Sequence, residues 1–394
     1  MSASRHYVLA AGGTGGHMIP AFALGEELTR RGHHVALVTD ERGAKIPGLF
    51  DKGQVHILPA GRIAGGPIGW MKAAKAIWEG RAMAARLYES FEPSAVIGFG
   101  GYPAFPALLA ARKCRVPTLI HEQNAVLGRV NRLVAKRVDA IATAYPDIQR
   151  LPDSCLPKTH MVGNPVRAEV IALRDEDFPP FEEDGVFRVL VTGGSQGATI
   201  MSNVVPDGLA MLPPALKIRL QVTQQCRAED IDAVRAKYKE HGIPAELATY
   251  ITDMPNKLNW AHLVISRAGA STIAELTCAG RPAILVPLPS ATDDHQSYNV
   301  KAMVAAGGAR AIAQSAFTPK ELAKQIQKIA LEPGALANAA ARAKSCGLPD
   351  ATRDLADLVE STGGAPLMDV IRVGTAQSAA PSSGFAPAMK EAAR

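Results

Sequence analysis

Two apolar runs in this chain each lead directly into a glycine-rich turn. Tyr7–Ala11 is followed by Gly-Gly-Thr-Gly-Gly at 12–16, and Phe187–Thr192 is followed by Gly-Gly-Ser-Gln-Gly at 193–197. Glycine loses more backbone freedom on folding than any other residue, so a turn this bare is expected only where the main chain passes close to something. The two turns start 181 positions apart. This repeat predicts two similar domains, each opened by a strand, a turn and a helix.

Both halves of the chain alternate short β-branched runs with longer helical stretches. Segments such as Ala21–Arg31 and Pro103–Cys114 are expected to be helices. Predicted strands are Val35–Thr39, Ala95–Gly98, Thr118–Ile120, Ile218–Val222, Leu263–Ser266 and Ala283–Val286. This alternation predicts an α/β fold with two doubly wound, Rossmann-like parallel sheets, each covered by helices on both faces.

Two polar segments predict a hinge between the domains and a tail after them. The proline-bearing stretch 174–184 is the predicted hinge. Residues 363–394 are rich in Ala, Ser, Pro and Gly and contain few large apolar side chains, which predicts a disordered tail.

The charge of the chain is unevenly distributed. Residues 1–163 contain 20 Lys and Arg against 12 Asp and Glu, whereas residues 164–394 contain 23 against 25. A basic first half favours an anionic partner such as a phosphate, an acidic lipid or a nucleic acid, although ordinary surface charge gives the same balance. Nucleic acid is disfavoured as a partner, because no recognition motif is present and aromatic residues make up only 5% of the chain.

Cysteine usage and hydropathy narrow the class of protein. The five cysteines are scattered and include no Cys-x-x-Cys pair, which favours reduced thiols over a disulfide framework or a zinc site. No uncharged apolar run reaches about 18 residues, so no membrane-spanning helix is expected. The apolar part of the N-terminus is short and enters a glycine turn at once, so no signal peptide is expected there.

A glycine turn between a strand and a helix exposes unpaired N–H groups at the positive end of the helix, which makes it a candidate anion site. Neither turn fits a standard nucleotide motif. A dinucleotide fingerprint would need glycine at Met18, and a P-loop would need lysine after Gly16. A third glycine turn, Gly98–Tyr102, follows a strand of the basic half, so we expect a diphosphate between the first and third turns. For any single turn, a tight connection without a ligand is the alternative.

Six short motifs occur in one order along the chain. They are GGTGGH at 12–17, GFGGYPA at 98–104, HEQN at 121–124, GNPVR at 163–167, GGSQGA at 193–198 and DHQSYN at 294–299. Together they resemble the MurG family of bacterial UDP-N-acetylglucosamine (UDP-GlcNAc) transferases, over about Tyr7 to Val359. The resemblance implies a GT-B fold, in which two Rossmann-like domains face an interdomain cleft.

The resemblance further implies how the chain is divided and what it does. Residues 1–163 would hold the lipid I acceptor, residues 164–340 would hold UDP-GlcNAc, and a helix at about 341–360 would pack back on the first domain. The implied reaction is attack by the 4-hydroxyl of muramic acid in lipid I on the anomeric carbon of UDP-GlcNAc. Configuration inverts, giving the β-1,4 linkage of lipid II, a peptidoglycan precursor, and free UDP.

Roles for single residues also follow from the resemblance. Ser195 would meet the UDP phosphates, Ile251 would pack on uracil and Glu275 would accept hydrogen bonds from the ribose hydroxyls. The full predicted UDP-GlcNAc site is Thr14, Gly15, Gly16, Asn124, Arg167, Ser195, Gln196, Ile251, Ala270, Ser271, Thr272, Ile273, Ala274, Glu275 and Gln296. The predicted acceptor diphosphate site is Gly13, Gly16, His17, Gly100, Gly101 and Tyr102.

His17 is the best-placed ionisable group to take the proton of the attacking hydroxyl, because imidazole titrates close to neutral pH. The alternative is that His17 caps the turn or orients the acceptor. Glu122 and His121 are weaker candidates for the base.

No metal or other cofactor is expected. Many sugar-nucleotide transferases hold a divalent ion with an Asp-x-Asp pair, but Asp175–Asp177 lies in the acidic hinge and not after a strand. Asp230–Asp232 is interpreted as the polar start of a helix. Helix ends and glycine turns would take the place of the metal.

Residues 70–87 predict an amphipathic helix. Trp70, Ala74, Ile77, Trp78 and Ala85 fall on one face at 100° per residue, with Arg81 on the same side. Lys72, Lys75, Glu79 and Arg86 fall on the opposite face. Tryptophan with flanking cations is typical of a helix that lies on anionic lipid. Packing of the apolar face on the sheet is the alternative.

The predicted partners are UDP-GlcNAc, lipid I, anionic lipid of the inner membrane and other cell-wall and division proteins, with a peripheral location on the cytoplasmic face of that membrane. Two other functions stay open. One is UDP-GlcNAc 2-epimerase chemistry, which uses two similar domains and no lipid. The other is a non-catalytic nucleotide-sugar sensor at the membrane.

Overall fold

A computed structural model describes residues 4–364 except 14, 47–49, 51–52, 60–65, 183, 195–196 and 333. The predicted disordered tail lies outside these residues from position 365 onward.

The described residues of the first half form a sheet of seven parallel strands. Their spatial order is β3-β2-β1-β4-β5-β6-β7. The strands are β1 (His6–Ala11), β2 (His34–Thr39), β3 (Gln54–Ile57), β4 (Ala95–Gly100), β5 (Thr118–Glu122), β6 (Ala140–Thr143) and β7 (Thr159–Met161).

The described residues of the second half form a sheet of six parallel strands in the order β10-β9-β8-β11-β12-β13. The strands are β8 (Phe187–Thr192), β9 (Leu220–Gln225), β10 (Ala245–Ala248), β11 (Leu263–Arg267), β12 (Ala283–Val286) and β13 (Ala309–Ala311). The two sheets confirm the predicted pair of doubly wound parallel-sheet domains.

Helices cover both faces of each sheet. They are α1 (Gly15–Arg30), α2 (Gly66–Phe91), α3 (Ala104–Lys113), α4 (Arg129–Val134), α5 (Ala168–Ala172), α6 (Thr199–Ala210), α7 (Pro214–Lys217), α8 (Ile231–Glu240), α9 (Met254–Trp260), α10 (Ala270–Cys278), α11 (His295–Asn299), α12 (Lys301–Ala306), α13 (Pro319–Ala330), α14 (Ala335–Ser345) and α15 (Ala351–Thr362). Central strands are buried on both faces, as β1 illustrates. Val8 and Ala10 join one core, while Tyr7 and Leu9 join the other.

The chain crosses between the two sheets twice. It leaves β7 through residues 162–167, and it returns between α14 and α15, so a break at Gly347 and Pro349 divides the helix expected at 341–360. α15 packs on α1 and on the first sheet. Arg31 of α1 forms ion pairs there with Asp357, at 2.5 Å, and with Glu360, at 2.7 Å.

The hinge predicted at 174–184 is wrong. Phe178 and Phe181 pack against the core of the second sheet, and Arg174 donates a hydrogen bond to the carbonyl of Lys344 at 3.0 Å. The segment is polar in composition, but the burial of its two phenylalanine side chains fixes it to the second domain.

Candidate active site

A cleft of about 1500 Å³ separates the two sheets and is lined by residues of both. In an open parallel sheet, ligands bind beyond the carboxyl ends of the strands, at the point where the strand order reverses. The order reverses between β1 and β4 in the first sheet and between β8 and β11 in the second. The three glycine turns follow β1, β4 and β8, so they open on the cleft at these two points.

The first and third glycine turns touch each other. Gly101 has φ +77°, and a Cβ there would lie 2.8 Å from the carbonyl oxygen of Gly12. Gly100 has φ +93°, and a Cβ there would lie 3.0 Å from Cε1 of His17. These two positions therefore need glycine, because any side chain would part the turns or displace the imidazole.

His17 lines the cleft and is half-buried. Its Nδ1 lies 3.0 Å from Oε1 of Gln123. His121 is fully buried behind it, and burial lowers the pKa of its imidazole to about 4. Both nitrogens of His121 are hydrogen-bonded, to Gly163 and to Gln123. This environment argues against His121 as the base.

Glu122 is buried at the end of β5, where it accepts four hydrogen bonds. Its Oε1 accepts from the backbone N–H and side-chain amide of Asn124, and its Oε2 accepts from the N–H of Gly128 and Nδ2 of Asn131. Both oxygens of this carboxylate are thus engaged by donors. Its geometry fits an anchor for the loop 123–131 and argues against the base role considered from sequence.

Gly13 does not line the cleft, in contrast to its predicted contact with the acceptor diphosphate. Its φ is +85°, and its N–H donates to Oδ1 of Asp40 at 3.1 Å. The same oxygen accepts from the N–H of Gly43 at 2.9 Å. Asp40, which the sequence analysis missed, thus holds the first turn from behind. Gly15, Gly16, Gly100, Gly101 and Tyr102 do line the cleft.

The N-terminus of α10 faces the first glycine turn across the cleft. Pro20 has no N–H, so the carbonyl of Gly16 lacks the bond that an α-helix would give it. Ser271 Oγ supplies that bond from the second domain at 3.3 Å. Ala270 and Thr272 also line the cleft. The side chains of Ile273 and Ala274 pack against the second core instead, and their predicted contact with the nucleotide stays a prediction.

Arg167 and Glu275 form a partly buried ion pair on the second-domain side of the cleft. Nη2 of Arg167 lies 2.7 Å from Oε1 of Glu275, and Nε lies 3.2 Å from the same oxygen. Burial raises the pKa of the Glu275 carboxyl, and the guanidinium opposes that shift. Such a pair is costly to break, because one buried charge then remains without its partner.

The other predicted donor residues fall into two groups. Ile251, Asn124 and Gln296 line the cleft. The Oε1 of Gln296 accepts from the N–H of Ala268 and of Leu288, which leaves its Nε2 as a donor that no described residue engages. Thr14, Ser195 and Gln196 lie outside the described residues.

Asn299 makes a contact between the two domains. It belongs to the motif at 294–299, but no role was predicted for it. It is fully buried; its Oδ1 accepts from the N–H of Ala125 at 2.9 Å, and its Nδ2 donates to Asn124 Oδ1 at 3.1 Å. Nearby, Asp293 has φ +56° and pairs with Arg132 at 2.7 Å and with Arg150 at 2.5 Å. The two domains are thus held together beside the cleft by polar contacts.

α2 presents its tryptophans to solvent. Trp70 is 65% exposed and Trp78 is 69% exposed, while Ile77 and Arg81 are half-buried and Lys72 and Lys75 are exposed. The buried stripe consists of Ala73, Gly80, Ala84 and Tyr88. A Cβ on Gly80 would lie 3.0 Å from the carbonyl of Pro59 and 3.3 Å from Pro106. The alternative that the tryptophan face packs on the sheet is therefore wrong.

No three His, Cys, Asp or Glu side chains within the described parts of the chain come together as a metal-binding group. Across the same residues, no helix combines the length and hydropathy that crossing a bilayer requires.

Comparison with known families assigns the fold and its cleft. Residues 7–143 match the N-terminal domain of glycosyltransferase family 28, and residues 188–355 match the C-terminal domain of the same family. The chain belongs to glycosyltransferase family 28. The two family 28 domains coincide with the two parallel sheets, so the cleft between them lies where the family's two halves meet.

Individual known proteins are similar to nearly the whole chain. A protein of Novosphingobium aromaticivorans, named UDP-N-acetylglucosamine--N-acetylmuramyl-(pentapeptide) pyrophosphoryl-undecaprenol N-acetylglucosamine transferase, is 71% identical over 96% of this chain and 97% of its own. The crystal structure of Acinetobacter baumannii MurG superposes with a TM-score of 0.71 at 30% identity, over 91% of this chain and 99% of that one. A UDP-N-acetylglucosamine 2-epimerase structure from Listeria monocytogenes shares the fold at 14% identity, with a TM-score of 0.62, over 91% of this chain and 96% of that one.

Proposed function

We propose that this family 28 glycosyltransferase moves GlcNAc from UDP-GlcNAc to the 4-hydroxyl of MurNAc in lipid I, giving lipid II and UDP. The observation that carries the proposal is the 71% identity, over nearly the full length, to a relative named for this reaction. The cleft supports it, because a ring of helix N-termini and glycine turns suits two diphosphates that meet face to face.

In the proposed mechanism the acceptor diphosphate lies against the first and third glycine turns. UDP-GlcNAc lies along the N-terminus of α10 and the second glycine turn. His17 takes the proton of the 4-hydroxyl as its oxygen attacks the anomeric carbon, and UDP leaves on the opposite side of that carbon. Main-chain N–H groups and Ser195 then stabilise the charge that develops on the leaving diphosphate. The Arg167–Glu275 pair holds the ribose.

The deciding experiment supplies the purified protein with UDP-GlcNAc and a lipid I analogue. We expect release of UDP together with one equivalent of a β-1,4-linked disaccharide product, measured by coupled assay and mass spectrometry. With UDP-GlcNAc alone, formation of UDP-ManNAc would instead identify an epimerase. Binding of UDP-GlcNAc without UDP release in the presence of acceptor would identify a sensor.

Metal independence is the first prediction about this reaction. We expect EDTA to leave the rate of UDP release unchanged, because main-chain amides and Ser195 carry the diphosphate charge in our proposal. The measurement is the initial rate after chelation, with and without added Mg²⁺. A rate that EDTA abolishes and Mg²⁺ restores would contradict the proposal.

We further propose that α2 holds the protein on the cytoplasmic face of the inner membrane, where lipid I is presented. Trp70, Trp78 and the exposed Met71 form an apolar surface, and Lys72 and Lys75 flank it with positive charge. Each basic residue near an anionic surface contributes about 1 kcal/mol. The apolar side chains add the burial that holds such a helix at the interface.

Vesicle binding tests this second prediction. We expect Trp70→Ala/Trp78→Ala to weaken co-sedimentation with phosphatidylglycerol vesicles while the rate with a soluble acceptor analogue stays unchanged. The matched control is Met211→Ala/Ile218→Ala, which removes two exposed apolar side chains from the second domain. Equal binding by wild type and the tryptophan variant would rule out α2 as the membrane contact.

A further inference from the structure

Behind the proposed base lies a chain of hydrogen bonds that the reaction scheme does not use. His17, Gln123 and His121 follow one another inward from the cleft, and the carbonyl of Gly163 ends the series. The distances are 3.0 Å from His17 Nδ1 to Gln123 Oε1, 2.9 Å from Gln123 Nε2 to His121 Nδ1, and 2.9 Å from His121 Nε2 to the oxygen of Gly163.

Two backbone carbonyls decide the direction of every bond in this chain, because a carbonyl oxygen can only accept. The oxygen of Gly163 requires a proton on Nε2 of His121. The carbonyl of His121 lies 3.0 Å from the side-chain nitrogen of Gln123, so that nitrogen is the donating amide. Gln123 therefore also donates to Nδ1 of His121, which in its neutral form holds the lone pair there.

The orientation of Gln123 fixes the state of His17 in turn. With its nitrogen turned inward, Gln123 presents Oε1 to His17, and this oxygen accepts a hydrogen bond from Nδ1–H. A neutral imidazole with its proton on Nδ1 has its lone pair on Nε2. His121 stays neutral at physiological pH because burial lowers its pKa to about 4, so the chain keeps its direction.

We propose that Gln123 and His121 are positioning residues that hold His17 in the Nδ1–H tautomer, with the Nε2 lone pair available to the cleft. Gly100 supports the same orientation, since the imidazole lies against its Cα with no room for a Cβ. The other titratable neighbour on β5, Glu122, is engaged by four donors and does not compete for His17. This positioning role rests on the proposed function only because the proposed function makes His17 the base.

The first test reads the tautomer and needs no substrate. Full-length protein labelled with ¹⁵N-histidine is examined by long-range ¹H–¹⁵N correlation at pH 8, with His17 assigned by the loss of its signals in His17→Gln. We expect the Nδ1–H tautomer in wild type and a gain of the Nε2–H form in Gln123→Met. A wild-type His17 in the Nε2–H form would overturn the proposal, whatever the protein's activity.

The second test is kinetic. We expect Gln123→Met to lower kcat about 10- to 100-fold, the loss typical when a metal-bound histidine loses the partner that orients it, while KM for UDP-GlcNAc stays constant. Gln123→Glu keeps an acceptor for Nδ1–H but no longer donates to His121, so it should recover part of the rate, with the acidic limb of kcat/KM moved to higher pH. Gln54→Met, at an exposed glutamine of β3, is the control. A Gln123→Met enzyme with normal kcat, or with a raised KM alone, would overturn the proposal that Gln123 positions His17.

Discussion

Replacement of His17 by alanine should lower kcat for GlcNAc transfer by about 10²- to 10⁴-fold, the usual worth of general acid–base catalysis. His17 is an ionisable side chain that lines the cleft and lies next to Gly100 of the third glycine turn. The acidic limb of the pH profile of kcat should disappear with the imidazole, because no proton acceptor is left to titrate. The measurement is steady-state UDP release against pH with a lipid I analogue.

His17→Gln and His34→Ala separate a base from a merely structural histidine. Glutamine can still hydrogen-bond the acceptor but cannot take a proton, so it should be as slow as alanine. His34 is exposed in the same domain, and its loss should change nothing. If His17→Ala raised KM for the acceptor while kcat and the pH profile were kept, His17 would orient the acceptor instead of acting as the base.

Replacement of Glu275 by glutamine should raise the Kd for UDP about 10- to 100-fold. Hydrogen bonds to charged groups contribute about 1.5–3 kcal/mol each. This substitution removes the charge from the proposed ribose acceptor, and the same charge holds Arg167 in place. Calorimetric titration with UDP measures the effect without lipid. We expect kcat at saturating UDP-GlcNAc to change less than Kd, since the ribose is remote from the reacting carbon.

The control for Glu275→Gln is Glu240→Gln, which removes the same charge from an exposed position at the end of α8. It should bind UDP normally. Thermal unfolding of both variants distinguishes a lost contact from a lost fold, because breaking a buried pair can also cost several kcal/mol of stability. Unchanged UDP affinity in Glu275→Gln would contradict the proposed ribose contact.

Periodicity and glycine turns were enough to predict the two sheets. Phe187–Thr192 and Ala283–Val286 are strands with the predicted bounds, since β-branched runs bounded by turns have few other choices. The hinge was missed because composition cannot tell a polar loop from one pinned by Phe178 and Phe181. The helix predicted from Ala21 begins at Gly15 in the structure, and Ser271 from the other domain satisfies the carbonyl that Pro20 leaves free.

The sequence predicted the residues that line the cleft but not the residues that hold them in position. Turns and motifs placed the residues that line the cleft, because those follow strands at the switch points of each sheet. Asp40, Gln123 and Asn299 were not given roles, since each acts through a partner distant in sequence. Glu122 was considered a base because the sequence does not show that the loop 123–131 folds back to place four donors on its carboxylate.

The two segments that connect the domains, residues 162–167 and the segment between α14 and α15, lie side by side. Gly163 has φ +91°, and a Cβ there would come 2.9 Å from Cβ of Ala351 on the returning strand. A pair of adjacent tethers allows rotation about one axis and resists twist about any other. The cleft is therefore expected to open and close by rotation of one domain against the other about an axis near Gly163 and Ala351. The largest displacement is expected at the end of the cleft farthest from these residues.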